Sequence, residues 1–134
     1  MIVLDILTPA ARSFSLIGET ATLNAEPAQT GVRKLNQLMA ELAEDGIDLG
    51  WNPKANSADT VVLPLGHVAG IQAMLAVRWA GDYGLVIPPD VLETARDSRN
   101  RLLGQAVRAQ IERAVSNTLP VGEGQRGGYN ILTG

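Results

Sequence analysis

Residues 65–83 read LGHVAGIQAMLAVRWAGDY, and their pattern decides the architecture. Val68, Ala69, Ile71, Met74, Leu75, Val77, Trp79 and Ala80 fall on nearly every side of a helical wheel. A helix that is apolar all round has no face to give to water and must sit among other helices. Ala69, Gly70, Ala73, Ala76 and Ala80 are small enough to let those neighbours approach closely. Gly81 and Gly84 bracket the end of the segment. The spacing predicts a central third helix from about Leu65 to Tyr83, surrounded by amphipathic partners.

Those partners lie on both sides of it. Leu7, Ala10, Ala11, Phe14 and Ile17 follow helical spacing and predict a first helix over 3–17, with Gly18 as its C-cap. Pro9 requires either that the regular helix start near Thr8 or that its first turn be loose. Asn24 or a close neighbour caps a second helix, with Glu26 and Pro27 in its first turn. Its stripe of Ala28, Val32, Leu35, Leu38, Met39 and Leu42 runs to about Glu44, and Asp45-Gly46 ends it. Pro88-Pro89-Asp90 opens a fourth helix reaching about Asn117. Its apolar positions are read as one stripe from Val91 through Leu92, Ala95, Leu102, Leu103, Ala106, Val107, Ile111 and Ala114 to Val115.

Two segments fall outside this pattern. Residues 46–63 read GIDLGWNPKANSADTVVL, a long stretch of turn chemistry, with Thr60 to Leu63 as a short strand or extended lead-in. Irregular loops of this length in compact domains usually serve function or interfaces. Trp51 is the candidate anchor, with Lys54 and Asn56 supplying rim hydrogen bonds. Residues 119–134, LPVGEGQRGGYNILTG, carry four glycines within seven positions and end in an apolar tip. A glycine strap with such a tip has no core of its own. It is expected to dock on another molecule or a neighbouring copy, through Arg126, Tyr129, Asn130, Ile131 and Leu132. The fold class is therefore all-α, a four-helix bundle with a long irregular loop and an extended Gly-rich tail. The organisation is a helical domain over 1–118 and a docking tail over 119–134.

Composition limits the function. The chain has 134 residues, enough for one domain with a single core. Only 4% are aromatic, so the core is aliphatic, which suits helix-on-helix packing. The absence of cysteine excludes disulfides, thiolate metal sites and a cysteine nucleophile. No apolar run is long enough to span a membrane. The first residues lack a basic region and carry Asp5, unlike a signal peptide, so the protein is expected to work in a cytosol or in a particle assembled there. Charge is uneven. Five basic and eleven acidic side chains precede residue 96, and six basic and three acidic follow from Arg96 onward. Two surfaces with different partners are expected. Arg96, Arg101 and Arg108 are spaced to lie on roughly one side of the fourth helix and are candidates for subunit or tail contacts.

The catalytic signals are weak. Gly122-Glu-Gly124-Gln-Arg-Gly127 matches a dinucleotide fingerprint by letters only, because a helix rather than a strand precedes it. His67, the sole histidine, has no carboxylate at helical spacing, and Asp45 and Asp48 flank a glycine turn. A small hydrolase using His67 with Asp45 or Asp48 is the weakest of three readings. No cofactor and no metal are implied, and the chain is not read as an enzyme. A helical regulatory or nucleic-acid-binding module, using the fourth-helix arginines, is the alternative to an assembly protein. The acidic pI of about 5.0 argues against dedicated sequence-specific DNA binding.

The order of segments resembles the head-completion adaptors, or tail accessory factors, of short-tailed bacteriophages. The resemblance is carried by Ala11-Arg12 and Leu16-Ile17-Gly18-Glu19, then Leu35-Asn36-Gln37-Leu38-Met39 with Glu44-Asp45-Gly46-Ile47. It continues through Leu75-Ala76-Val77-Arg78 with Asp82-Tyr83-Gly84, and ends in Gly128-Tyr129-Asn130-Ile131. It covers nearly the whole chain. It implies a helical subunit of a ring, usually twelve-fold, at the head–tail junction of the virion, assembled in the host cytoplasm. Its partners would be the portal protein and a tail nozzle or tube protein. Double-stranded DNA would pass through the channel without sequence-specific binding, and no membrane would be involved.

Overall fold

The structure is a computed structural model that describes residues 1–118, with side chains through residue 115. Four helices occupy it: α1 (Leu4–Ser13), α2 (Ala25–Glu44), α3 (Leu65–Ala80) and α4 (Pro89–Thr118). A single 3-10 turn, Gly81–Tyr83, follows α3. Among the described residues the only β pairing is an isolated antiparallel bridge between Ile2 and Thr60. The all-α class expected from the sequence is the one observed.

The central position of α3 follows from its composition. It packs against each of the other three helices, and α4 lies mainly on α3. Ile71, Leu75, Ala76 and Trp79 are completely buried. Trp79 meets Phe14 of α1 edge to face, with ring centroids 5.7 Å apart and planes at 63°. Gly31 of α2 faces the same ring, where a Cβ would lie 2.8 Å from Trp79 Cη2 and 3.0 Å from Leu7 Cδ2. Gly70 has the same role between α3 and α4, where a Cβ would lie 2.6 Å from Ser98 Cβ. These two glycines set the distances between helices. The expected stripe of α2 is buried in full, from Ala28 to Leu42.

Three helix ends share one device. Ser15, Gly46 and Gly84 have positive φ (64°, 89° and 64°). The following residue donates back across the turn, Leu16 N to Ala11 O (3.0 Å), Ile47 N to Leu42 O (2.8 Å) and Leu85 N to Ala80 O (3.2 Å). These are Schellman closures, which satisfy orphan carbonyls of the last turn. The first helix therefore ends at Ser13, short of the residue 17 expected, because Ser15 rather than Gly18 takes the left-handed position. Pro9 lies inside α1, which starts at Leu4, one residue from the expected start at 3, so the regular helix does not wait for Thr8. Proline cannot donate to the carbonyl four residues back, which is that of Asp5. Gln72 of α3 reaches that carbonyl through Nε2 at 3.4 Å.

The stretch 46–63 is irregular but tied down. Val3 N donates to Asp59 O, Leu4 N to Ser57 O and Val61 N to Met1 O, each at 2.9 Å. The amides of Val3 and Leu4 at the start of α1 are thus satisfied by the loop. Asp59 Oδ2 accepts from Ala55 N (2.7 Å) and Asn56 N (3.1 Å), and these amides, Asn56 foremost, hold its carboxyl below the usual value of 3.8.

Candidate functional site

Asn36 organises the loop from α2. Its Nδ2 donates to Lys54 O (2.8 Å), and its Oδ1 accepts from Trp51 Nε1 (3.1 Å) and Lys54 N (3.0 Å). The Trp51 ring is half-buried against the core, and Lys54 Nζ sits 5.2 Å from its centroid. Asn56 is exposed and caps a local turn by accepting from Ala58 N at 3.0 Å. Trp51, Lys54 and Asn56 are therefore brought together on one side of α2. Trp51 also has a structural duty, because its ring and its N–H both fasten the loop.

Arginines along α3 and α4 divide by partner. Arg78 pairs with Glu41 and Arg99 with Asp45, and Lys34 pairs with Asp82 at 3.0 Å. These pairs are partly exposed and lace α2 to its neighbours. Arg96, Arg101 and Arg108 are exposed and have no ion-pair partner among the described residues. The expectation that all three share one side needs correction. At about 100° per residue Arg101 and Arg108 are nearly aligned, but Arg96 is turned by roughly a third of a circle. Arg96 lines a hollow with Leu38, Met74 and Val77, whereas Arg101 lines one with Gly66 and His67.

The apolar positions of α4 also divide, contrary to the single stripe expected. Ala95 and Leu102 are buried, and Val91, Leu103 and Ala106 pack partly against the core. Val107, Ile111 and Val115 are 52%, 57% and 47% exposed. Leu102 and Ile111 are nine residues apart, which on an α-helix is about half a turn out of phase. At 30 residues α4 is about 45 Å long, against about 24 Å for the 16 residues of α3. The second half of α4 outruns α3, and no described residue covers its outer stripe.

A groove that the sequence reading missed lies on the inner side of this overhang. Its volume is about 420 Å³, and it runs between α4 and residues 46–49. Ile47, Leu49, Leu102 and Ala106 supply apolar surface, and Asp48, His67 and Arg113 also line it. Only the length of α4 relative to α3 hinted at it. His67 and Asp48 thus face one groove, with no hydrogen bond between them, and Asp45 is engaged with Arg99 instead. No group of three or more metal-ligating side chains exists among the described residues. Arg126, Tyr129, Asn130, Ile131 and Leu132 lie outside the described residues.

No described helix is long and apolar enough to cross a membrane. No curated protein matches the chain. The family model of the P22 tail accessory factor matches residues 3–133, almost the full length. A protein of that kind is a structural component of a short-tailed phage and binds other virion components, which suits a small bundle whose longest helix carries an apolar stripe exposed among the described residues. The chain belongs to the P22 tail accessory factor family.

Proposed function

We propose that the chain is one subunit of a ring, with about twelve copies as the family resemblance implies, that sits beneath the portal at the head–tail junction. There it extends or closes the DNA channel and offers a docking surface to the tail protein. The match over residues 3–133 carries this reading. The exposed outer stripe of α4 supports it, because a row of half-exposed Val and Ile side chains on a projecting helix suits contact with another subunit. Arg101 and Arg108 flank that stripe and face a neighbour or the tail protein, with Arg96 serving a separate contact. Trp51, Lys54 and Asn56 form a second contact surface. Arg126, Tyr129, Asn130, Ile131 and Leu132 bind the portal or the neighbouring subunit. DNA passes without base-specific contacts. The task is mechanical, and the polar groups around the groove act as rim rather than as catalysts.

Capture of the full chain on a purified portal ring tests the tail's role. The double substitution Tyr129→Ala with Ile131→Ala should weaken capture at least tenfold, equivalent to about 1.4 kcal/mol, and leave helix content unchanged. Undiminished capture would remove the tail from the portal interface. The alternative of a nucleic-acid module predicts instead that Arg101→Ala and Arg108→Ala abolish DNA retention while portal capture persists.

A further inference from the structure

We propose that in the free chain the apolar tip of residues 119–134 folds back into the groove between α4 and residues 46–49. The occupant is the chain's own Tyr129, Ile131 and Leu132. This concerns the unassembled subunit and does not rest on the ring reading.

Reach is the first argument. The groove touches α4 at Ala106, Ala109 and Arg113, and α4 ends at Thr118. Nine residues of helix separate Ala109 from Thr118, a span of about 14 Å. Ten residues, 119–128, then separate the helix from Tyr129, and four of them are glycine. For a glycine-rich composition at that length, random-coil statistics give a root-mean-square extension of roughly 17 Å. The two lengths agree, and a tethered group has its highest effective concentration, in the millimolar range, when linker and span match.

The chemistry of the groove is the second. About 420 Å³ lies within the usual range of a ligand pocket, roughly 300–1,000 Å³. Its apolar surface suits Ile131 and Leu132. Asp48, His67 and Arg113 in the lining offer hydrogen-bonding partners to a phenol, and tyrosine is suited to a site with one apolar and one wet end. The outer stripe of α4 lies on the other side of the helix and stays free for a neighbouring copy. A partner that takes the tail must then displace it from the groove, so the groove sets a threshold for assembly.

The chain has no cysteine, so a single introduced thiol can be labelled without background. A nitroxide on Thr133→Cys in isotope-labelled full-length protein should selectively remove the amide signals of residues 47–49 and 105–109, and reduction of the nitroxide should restore them. The loss should be independent of protein concentration. It should vanish in Ala109→Glu, which places a carboxylate in the groove at an exposed helix position, with unchanged circular dichroism as the check on folding. Signals that persist beside the nitroxide, or a loss that survives Ala109→Glu, would overturn the proposal. So would a loss seen only when nitroxide and isotope are on separate molecules, since the groove would then hold the tail of another copy.

Discussion

At the scale of single residues, Gly31 and Asn36 carry much of the fold. Gly31 is required because Trp79 occupies the space a Cβ would need, and that ring is fully buried between Phe14, Leu7 and α2. Alanine is better than glycine in a helix by about 1 kcal/mol. Forcing an atom into a filled core costs about 1–3 kcal/mol. The second effect prevails at this site, so Gly31→Ala should lower the melting temperature. Gly104→Ala in α4, where nothing lies within 4 Å of the new Cβ, should raise it. Two shifts of the same sign in thermal unfolding would contradict this account. Asn36 is the second case. Asn36→Ala leaves the N–H groups of Trp51 and Lys54 without their acceptor, and the loss should be about 1–3 kcal/mol in denaturant unfolding. No change would mean that the loop is held by its other contacts, those of Asp59 and the first residues of α1.

At the scale of elements, α4 has two sides with different purposes. Its inner face from Val91 to Ala106 closes the bundle, and its outer stripe is left over. Ile111→Ser should change the stability of the isolated chain by no more than about 0.5 kcal/mol, as expected for an exposed position. It should nevertheless weaken assembly. Leu102→Ala, at a position 5% exposed, should cost about 2–4 kcal/mol in unfolding. Equal losses at the two sites would make the outer stripe part of the core. The sequence was legible where a helix carries its own instruction. All-round apolarity placed α3 at the centre, and a clean 3.6-residue stripe placed α2. It was not legible where the deciding fact lies on another element. The division of the α4 stripe depends on where α3 ends. The cap at Ser15 is a left-handed position taken by a residue that seldom adopts it. Trp51 looks like a free loop anchor until Asn36, fifteen residues away, is seen to hold its indole.

At the scale of the molecule, a short bundle bears one overlong helix, and a glycine-rich segment follows it. The overhang of α4, its outer stripe and the groove beneath it all lie at the same end, near the chain's exit from the helix. Family membership, the α4 stripe, and Arg101 and Arg108, which have no ion-pair partner among the described residues, are the grounds for the proposed ring on the portal. Native mass measurement of the full chain mixed with the portal ring of its phage tests that most directly. The account predicts a complex heavier than the portal alone by a multiple of 14.2 kDa, with one bound chain for each portal subunit. A portal that gains no mass, or gains only one or two chains whatever the excess supplied, would contradict it.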